Sequence, residues 1–387
     1  MMQGPLSGVT VVDMTRVLAG PYCTMMLYDL GARVIKVEAP GKGDDSRQIG
    51  PFINGKSAYF MSLNRGKQSI ALDLKADKDR ALFEALLEGA DVMVENFRSG
   101  VMERLGYGWE ALHERYPRLI YAATSGFGHT GPYAERPAYD MVVQAMGGVM
   151  SITGQPDGEP TRVGSSIGDI TAGLFTTAGV NAALYRRVQS GVGMKIDVAM
   201  LDCQVAILEN AIARYCASGE IPGPIGARHP SITPFEAFVT KDGHVIVAAG
   251  NDELFKTLYT ATGNTELEHD ERFETNDLRT QYHVELKEIL APAFAAKSTQ
   301  QWLDILAPAG IPCGPINNIA EVLDDPQVRA RNMVVSVEDA VAGQVRMAGN
   351  PIKMSEFDDP DSRTVAPDLD ADRAAIIAEI LDPTSVA

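Results

Sequence analysis

The sequence predicts an α/β protein: a Rossmann-like large domain built on a parallel sheet, followed by a smaller α+β domain. Three observations carry this. Short β-branched runs alternate with helix-compatible stretches from Val9 to Ala123, the pattern of parallel strands wrapped by helices. Ile221-Pro222-Gly223-Pro224-Ile225-Gly226 interrupts regular structure, and the pattern beyond it changes. A chain of 387 residues is also long enough for two cores.

Val9–Val12 is a buried strand in type. A helix opens at Ala19-Gly20-Pro21, where Pro21 suits a first turn, and Gly31 closes it. Strands follow at Arg33–Val37 and Ser69–Leu74, then a helix over Asp77–Glu88 and a strand at Asp91–Val94. A helix near Trp109–Tyr116 leads to the strand Leu119–Ala123, and Lys195–Ala199 continues the sheet. A mostly apolar helix over Leu201–Ser218 is expected to lead out of the domain. Phe235–Thr240 and His244–Ala249 flank Lys241-Asp242-Gly243 as a hairpin. Ser298-Thr299-Gln300-Gln301 is a capping box. The tail is charged and ends in an amphipathic helix, Asp370–Leu381. The expected organisation is a large domain over 1–200, a linker over 201–226, a small domain over 227–325, and a segment over 326–387 returning to the large domain.

Composition narrows the function. A net charge of −17 argues against nucleic acid or an anionic membrane as partner. Four scattered cysteines lack disulfide or zinc spacing, so neither a disulfide framework nor a metal site is expected. With no signal-peptide pattern and no apolar span, the expected compartment is the cytoplasm.

The chain is organised around Val163-Gly164-Ser165-Ser166-Ile167-Gly168-Asp169, which runs into a long helical stretch from Ile170 to Arg187. Asp169 falls at a helix start, beside free N–H groups and the positive end of the helix dipole, where a carboxylate is expected to stay ionised. The glycines are expected to clear a path for a ligand. The same residues also suit a plain N-cap.

Gly126-Phe127-Gly128-His129-Thr130-Gly131 matches a dinucleotide fingerprint letter for letter, but Pro132 and Pro137 follow where a helix should begin. It reads instead as a loop facing a ligand. No Walker A sequence supplies a nucleotide phosphate cradle, no serine-hydrolase nucleophile elbow is expected, and the six dispersed histidines give a hydrolase no base.

Asp13-Met14-Thr15-Arg16-Val17-Leu18-Ala19-Gly20-Pro21, Gly31–Glu38 and Val94-Glu95-Asn96-Phe97-Arg98-Ser99-Gly100 resemble family III CoA-transferases. So do the Gly126–Pro132 loop, Gly168-Asp169 and Ile311-Pro312-Cys313-Gly314-Pro315. The family includes formyl-CoA and carnitine CoA-transferases and α-methylacyl-CoA racemase. The resemblance implies an interlocked homodimer of two ring-like chains, with acyl-CoA and a free carboxylic acid as substrates and no tightly bound cofactor.

It implies further that Asp169 attacks the acyl-CoA thioester, passing through an aspartyl–acyl anhydride and an enzyme–CoA thioester. It places coenzyme A contacts on Val17, Leu18, Ala19, Leu72, Lys75, Asn96, Phe97, Arg98, Arg104 and Tyr139. Lys75, Arg98 and Arg104 suit its phosphates. Backbone N–H groups at Gly126, Gly128, Gly131 and Gly168 are the candidates for stabilising an oxyanion.

Departures from the formyl-CoA pattern are Ala39 for an arginine, Ser125 and Pro137 for two lysines, and Arg228–Pro234 in the region of a glycine-rich loop. They argue against an oxalate-specific enzyme. Arg16, Arg47, Arg228 and His229 are candidate anchors for a second carboxylate of the acceptor, which suggests a dicarboxylate such as succinate. Two alternatives stand: a racemase, for which Tyr139 replaces the expected histidine, and a CoA-binding regulatory dimer without turnover.

Overall fold

The computed structural model describes residues 3–381. Six strands form one parallel sheet: β1 (Thr10–Asp13), β2 (Arg33–Glu38), β3 (Gln68–Ala71), β4 (Val92–Glu95), β5 (Ile120–Ser125) and β6 (Lys195–Ala199), in the order β3–β2–β1–β4–β5–β6. The chain builds outward from β1 to β3, then crosses back to β4 on the other side of β1. Loops leaving β1 and β4 therefore diverge, and an open α/β sheet holds ligands at such a reversal, outside its strand C-termini.

Alternation along the strands sends apolar side chains to both faces. Val12, Ile35, Met93 and Tyr121 pack with Phe83, Leu86 and Leu112 on one face. Val11, Val34, Val92, Val94, Ile120 and Ala122 pack with Leu27, Val180 and Leu184 on the other. Near-continuous apolar strands are what a sheet covered on both faces requires. Each fully buried large aliphatic contributes about 1.5–3 kcal/mol.

Four helices matter for the site: α1 (Ala19–Asp29), α2 (Ala58–Asn64), α3 (Asp140–Met146) and α4 (Ile167–Ser190). Pro21 lies in the first turn of α1, where its missing N–H costs nothing. α1 crosses α4 at Gly173, where an added Cβ would lie 2.8 Å from the Ala19 carbonyl oxygen.

The chain divides into two compact units. The first takes residues through Met150, Arg162–Glu220 and those from Pro326 onward; the second takes Ser151–Thr161 and Ile221–Asp325. The expected apolar helix over 201–218 is two helices in the first unit, Met200–Ala206 and Asn210–Ser218, broken near Glu209 (φ 27°).

In the second unit, Phe235–Val239, His244–Ala248 and Cys313–Pro315 form an antiparallel sheet over a core of Phe238, Val247, Phe294 and Trp302. The Ser298 capping box is formed. The charged tail contains a hairpin that sequence reading did not expect, Val334–Asp339 with Gly343–Ala348, whose alternate residues bury against Phe60 and Met61.

The last helix, Arg373–Leu381, buries Ile376 against the sheet. Before it, Asp370 and Asp372 accept the Ala71 and Ser69 N–H groups of edge strand β3 at 2.7 and 2.8 Å. Covering an edge in this way blocks pairing with another chain.

Candidate active site

Asp169 sits in the first turn of α4, and Gly168 just before it donates its N–H to Asp140 Oδ1 at 2.8 Å. The other Asp140 oxygen accepts from Gln144 Nε2 at 2.7 Å, and Gln144 Oε1 accepts the Val163 N–H at 2.9 Å. This chain of bonds fixes the approach to α4. It also changes two expectations. An added Cβ at Gly168 would meet Val143 Cγ2 at 2.7 Å and Asp140 Oδ1 at 3.0 Å, so this glycine makes room for α3, not for a ligand. Its N–H is committed to Asp140 and is not free to hold an oxyanion.

The Asp169 carboxyl is pushed up to about 7, first by burial and then by the Asp140 carboxylate. The expectation that it stays fully ionised therefore fails: two carboxyls share the helix start, and their repulsion works against its dipole. Tyr59, on α2, faces the same charges; burial, Asp169, Asp44 and Asp140 push its phenol up to about 12. Tyr59 is thus a neutral O–H donor beside the carboxylates at ordinary pH.

Gly164-Ser165-Ser166-Ile167-Gly168 does spell the letters of a hydrolase nucleophile elbow, contrary to the expectation that the chain has none. No strand leads into it, and the elbow needs a strand-to-helix turn, so it is not one.

A second site feature lies where β1, β2, β3 and β4 end. A cleft of about 270 Å³ is lined by Arg16, Lys42, Leu72, Lys75, Phe97 and Leu105, among others. The structure thus gathers Leu72, Lys75 and Phe97, three of the expected coenzyme A contacts. Lys42, which the sequence reading missed, lines the same cleft three residues after Ala39, where an arginine was expected. Its signal was the Pro40-Gly41-Lys42 turn, which leaves Lys42 exposed.

Asn96 clamps the backbone of Arg16, accepting its N–H and donating to its carbonyl oxygen, both at 2.8 Å. The Arg16 guanidinium lies 5.2 Å from the Phe97 ring centre and pairs with Asp45. Arg98 and Arg104 are exposed on the segment after β4.

Leu18 and Ala19 bury their side chains in the core, which leaves their backbone for any ligand contact. Val17 has φ 65°, a costly conformation for a β-branched residue. Its N–H donates to Asp44 Oδ1 at 3.1 Å. Asp44 is itself paired with buried Lys36 at 2.9 Å, and Lys36 also donates to the Thr15 carbonyl oxygen at 2.8 Å.

Asp13 and Lys67 form a neighbouring buried pair at 2.9 Å, with Thr24 and Asn64 accepting further bonds from the ammonium. This buried polar lattice fixes the β1–α1 turn. None of it was singled out from sequence.

Tyr139 is 78% exposed at the N-cap position of α3, immediately ahead of Asp140. It therefore belongs to the Asp169 end of the site. In the glycine loop, Gly128 donates its N–H to Ser125 Oγ at 3.0 Å and His129 donates to Asp197 Oδ2 at 2.9 Å. No helix follows until α3, so the dinucleotide motif is not formed. Arg47 is bound to Glu38 and lies 3.8 Å from the Phe60 ring centre, which engages it structurally. Arg228 and His229 lie in the second unit, where His229 stacks on Phe235.

Among the described residues no group of three or more His, Cys, Asp or Glu is placed to hold a metal, and no helix is long and apolar enough to cross a membrane.

Comparison with known proteins decides what kind of site this is. The family model described as CoA-transferase family III matches residues 6–373. The chain belongs to CoA-transferase family III.

It is similar to the acetyl-CoA:oxalate CoA-transferase of Acetobacter aceti, 47% identical over 98% of this chain and 97% of that one. It is similar also to the succinate–glutarate CoA-transferase of Agrobacterium fabrum, 40% identical over 97% and 96%. Among solved structures, a CaiB/BaiF family protein from Brucella suis superposes with a TM-score of 0.86 at 42% identity, covering 97% of this chain and 99% of that one.

The chain is therefore an enzyme that moves coenzyme A between an acyl-CoA and a carboxylic acid. These relatives favour neither the racemase nor the inactive dimer.

Proposed function

We propose that this CoA-transferase uses Asp169 as its nucleophile and transfers coenzyme A to a dicarboxylate. The observation that carries the reading is the half-buried Asp169 carboxyl at the start of α4, poised near neutrality beside Asp140 and Tyr59. Partial desolvation raises the basicity of a carboxylate and so its nucleophilicity, while leaving an ionised fraction at neutral pH.

The steps balance without a cofactor. The ionised Asp169 attacks the thioester carbonyl carbon, the C–S bond breaks, and coenzyme A leaves as thiolate from an aspartyl–acyl anhydride. The thiolate attacks the aspartyl carbonyl and releases the donor acid, leaving an enzyme–CoA thioester. The acceptor carboxylate attacks that thioester, giving a second anhydride, and the thiolate then attacks the acceptor's acyl carbon. Asp169 is regenerated. One thioester replaces another, so no nucleotide hydrolysis is needed.

Oxyanion stabilisation falls to Gly126 and Gly131 of the loop and to Tyr59, since the Gly168 and Gly128 N–H groups are already bonded to Asp140 and Ser125. Coenzyme A lies across the strand C-termini of the Rossmann-like sheet, with Lys42, Lys75, Arg98 and Arg104 toward its phosphates. Val17, Leu18 and Ala19 offer backbone. Asn96 and Phe97 shape the cleft, and Tyr139 stands at the thioester end.

The relatives' names support a dicarboxylate acceptor, since they cite oxalate, glutarate with succinate, and mesaconate. Arg16 is the better placed of these two anchors, because its one pairing is with half-exposed Asp45, whereas Arg47 bonds buried Glu38 through two nitrogens. The working form is an interlocked homodimer in the cytoplasm. The test is a screen of free acids against acetyl-CoA and succinyl-CoA, with new thioesters read by mass spectrometry. Dicarboxylates are expected to accept; acceptance by monocarboxylates alone would reject the acceptor class.

A further inference from the structure

One buried cluster takes no part in the chemistry above. Glu95, the last residue of β4, is 1% exposed, and its carboxylate accepts the Phe97 N–H at 2.7 Å and the Tyr121 O–H at 3.0 Å. His129, in the Gly126–Gly131 loop, brings Nε2 to 3.6 Å from Glu95 Oε1, and that nitrogen is buried without a hydrogen-bond partner. Its Nδ1 lies 3.1 Å from Lys195 Nζ. An ammonium only donates, so Nδ1 accepts and the ring proton of neutral His129 sits on Nε2, toward Glu95. Two donors thus bond the carboxylate and the His129 Nε2–H faces it at 3.6 Å, an arrangement that suits the acceptor-only ionised form. Protonating Glu95 puts a fourth hydrogen into that shell.

The two residues belong to different loops. Glu95 anchors Asn96-Phe97-Arg98 through the Phe97 N–H, and Asn96 in turn clamps Arg16. His129 anchors the glycine loop, whose backbone is held by Asp197.

We infer that Glu95 and His129 are positioning residues: a proton-linked latch between the two loops, closed when Glu95 is ionised, that sets the affinity for coenzyme A. The inference rests on the reading that Asn96-Phe97-Arg98 contacts coenzyme A. Burial pushes Glu95 up to about 7, helped by Glu103 and opposed by the Phe97 N–H, Tyr121 and Lys195. Burial and Lys195 hold His129 below its ordinary value, against Asp197 and Glu103, so the imidazole is neutral when the latch closes. The sign follows: affinity rises as pH rises through about 7.

The test is calorimetric titration of full-length Asp169→Ala protein with free coenzyme A, roughly one pH unit below and above 7, with and without Glu95→Gln. The Asp169→Ala background removes the nucleophile's own titration. In the ratio of the two dissociation constants, the titration of the ligand's phosphate cancels. That ratio is expected to grow roughly tenfold from the lower to the higher pH, the scale of one lost charge-assisted contact. A ratio that does not change with pH overturns the latch. If Glu95→Gln does not fold, His129→Ala carries the same comparison with the same expectation. Arg98→Ala separates the underlying reading: unchanged affinity there removes the loop from the coenzyme site, whereas weakened affinity with a flat Glu95→Gln ratio overturns the latch alone.

Discussion

Asp140 accepts the Gly168 N–H at 2.8 Å and so places a second carboxylate beside Asp169. The geometry gives Asp140 two effects. It fixes the first turn of α4, and it raises the affinity of the Asp169 carboxyl for a proton.

The pH profile follows. Asp169 is raised to about 7, and its ionised form is the nucleophile, so kcat/KM rises as pH rises through about 7. Asp140→Asn keeps an oxygen for the Gly168 N–H but removes the charge, so the midpoint moves to lower pH. Stability runs the other way. A carboxyl raised in the folded state contributes stability that is present at low pH and lost as pH rises through about 7. Steady-state rates across pH, for wild type and Asp140→Asn, check the shift; a midpoint that stays put removes Asp140 from the account.

Arg104→Ala and Lys75→Ala are expected to raise KM for the thioester more than they lower kcat. A phosphate contact far from the reacting carbon contributes mostly uniform binding, about 1.5–3 kcal/mol for a charged hydrogen bond. Unchanged KM in both directions of exchange takes that residue out of the coenzyme site.

Sequence alone made the sheet legible because strands buried on both faces are short apolar runs separated by glycine and proline signals. The Gly168-Asp169 signal was equally local. The site's supporting groups were not, because their meaning lies in long-range pairing. Asp140 reads as a helix start until it meets Gly168, and Asp13, Lys36 and Lys67 read as surface charges until three strands and α2 bring them under one turn. The hairpin Val334–Ala348 was hidden by its charged exposed face, although its alternation was visible. Asp169's proton affinity needed Asp140 placed beside it in space.

Lys67→Met is expected to destabilise the fold by about 3 kcal/mol, because it removes the ammonium bonded to the fully buried Asp13 and leaves that carboxylate to Lys36 and the Thr15 and Thr24 hydroxyls. Asp13→Asn with Lys67→Met together should recover part of that loss. Chemical denaturation of the single and double variants measures both; a single variant as stable as wild type contradicts the pairing argument.

Incubation with 2-methylacyl-CoA in deuterium oxide separates transfer from proton abstraction. By resemblance Tyr139 takes the place of the racemase histidine, and a phenol serves as a hydrogen-bond donor more readily than as a base. No deuterium is expected at the α-carbon in the absence of an acceptor acid; rapid uptake would restore the racemase reading.

The most direct test of the central claim is to trap the acylated enzyme. Wild type is incubated with succinyl-CoA without acceptor, treated with hydroxylamine, digested and read by peptide mass spectrometry. The account predicts a hydroxamate on Asp169 and on no other residue, and none in the Asp169→Asn variant, which should also lose exchange. A hydroxamate on a different carboxylate, or exchange surviving in Asp169→Asn, would contradict it.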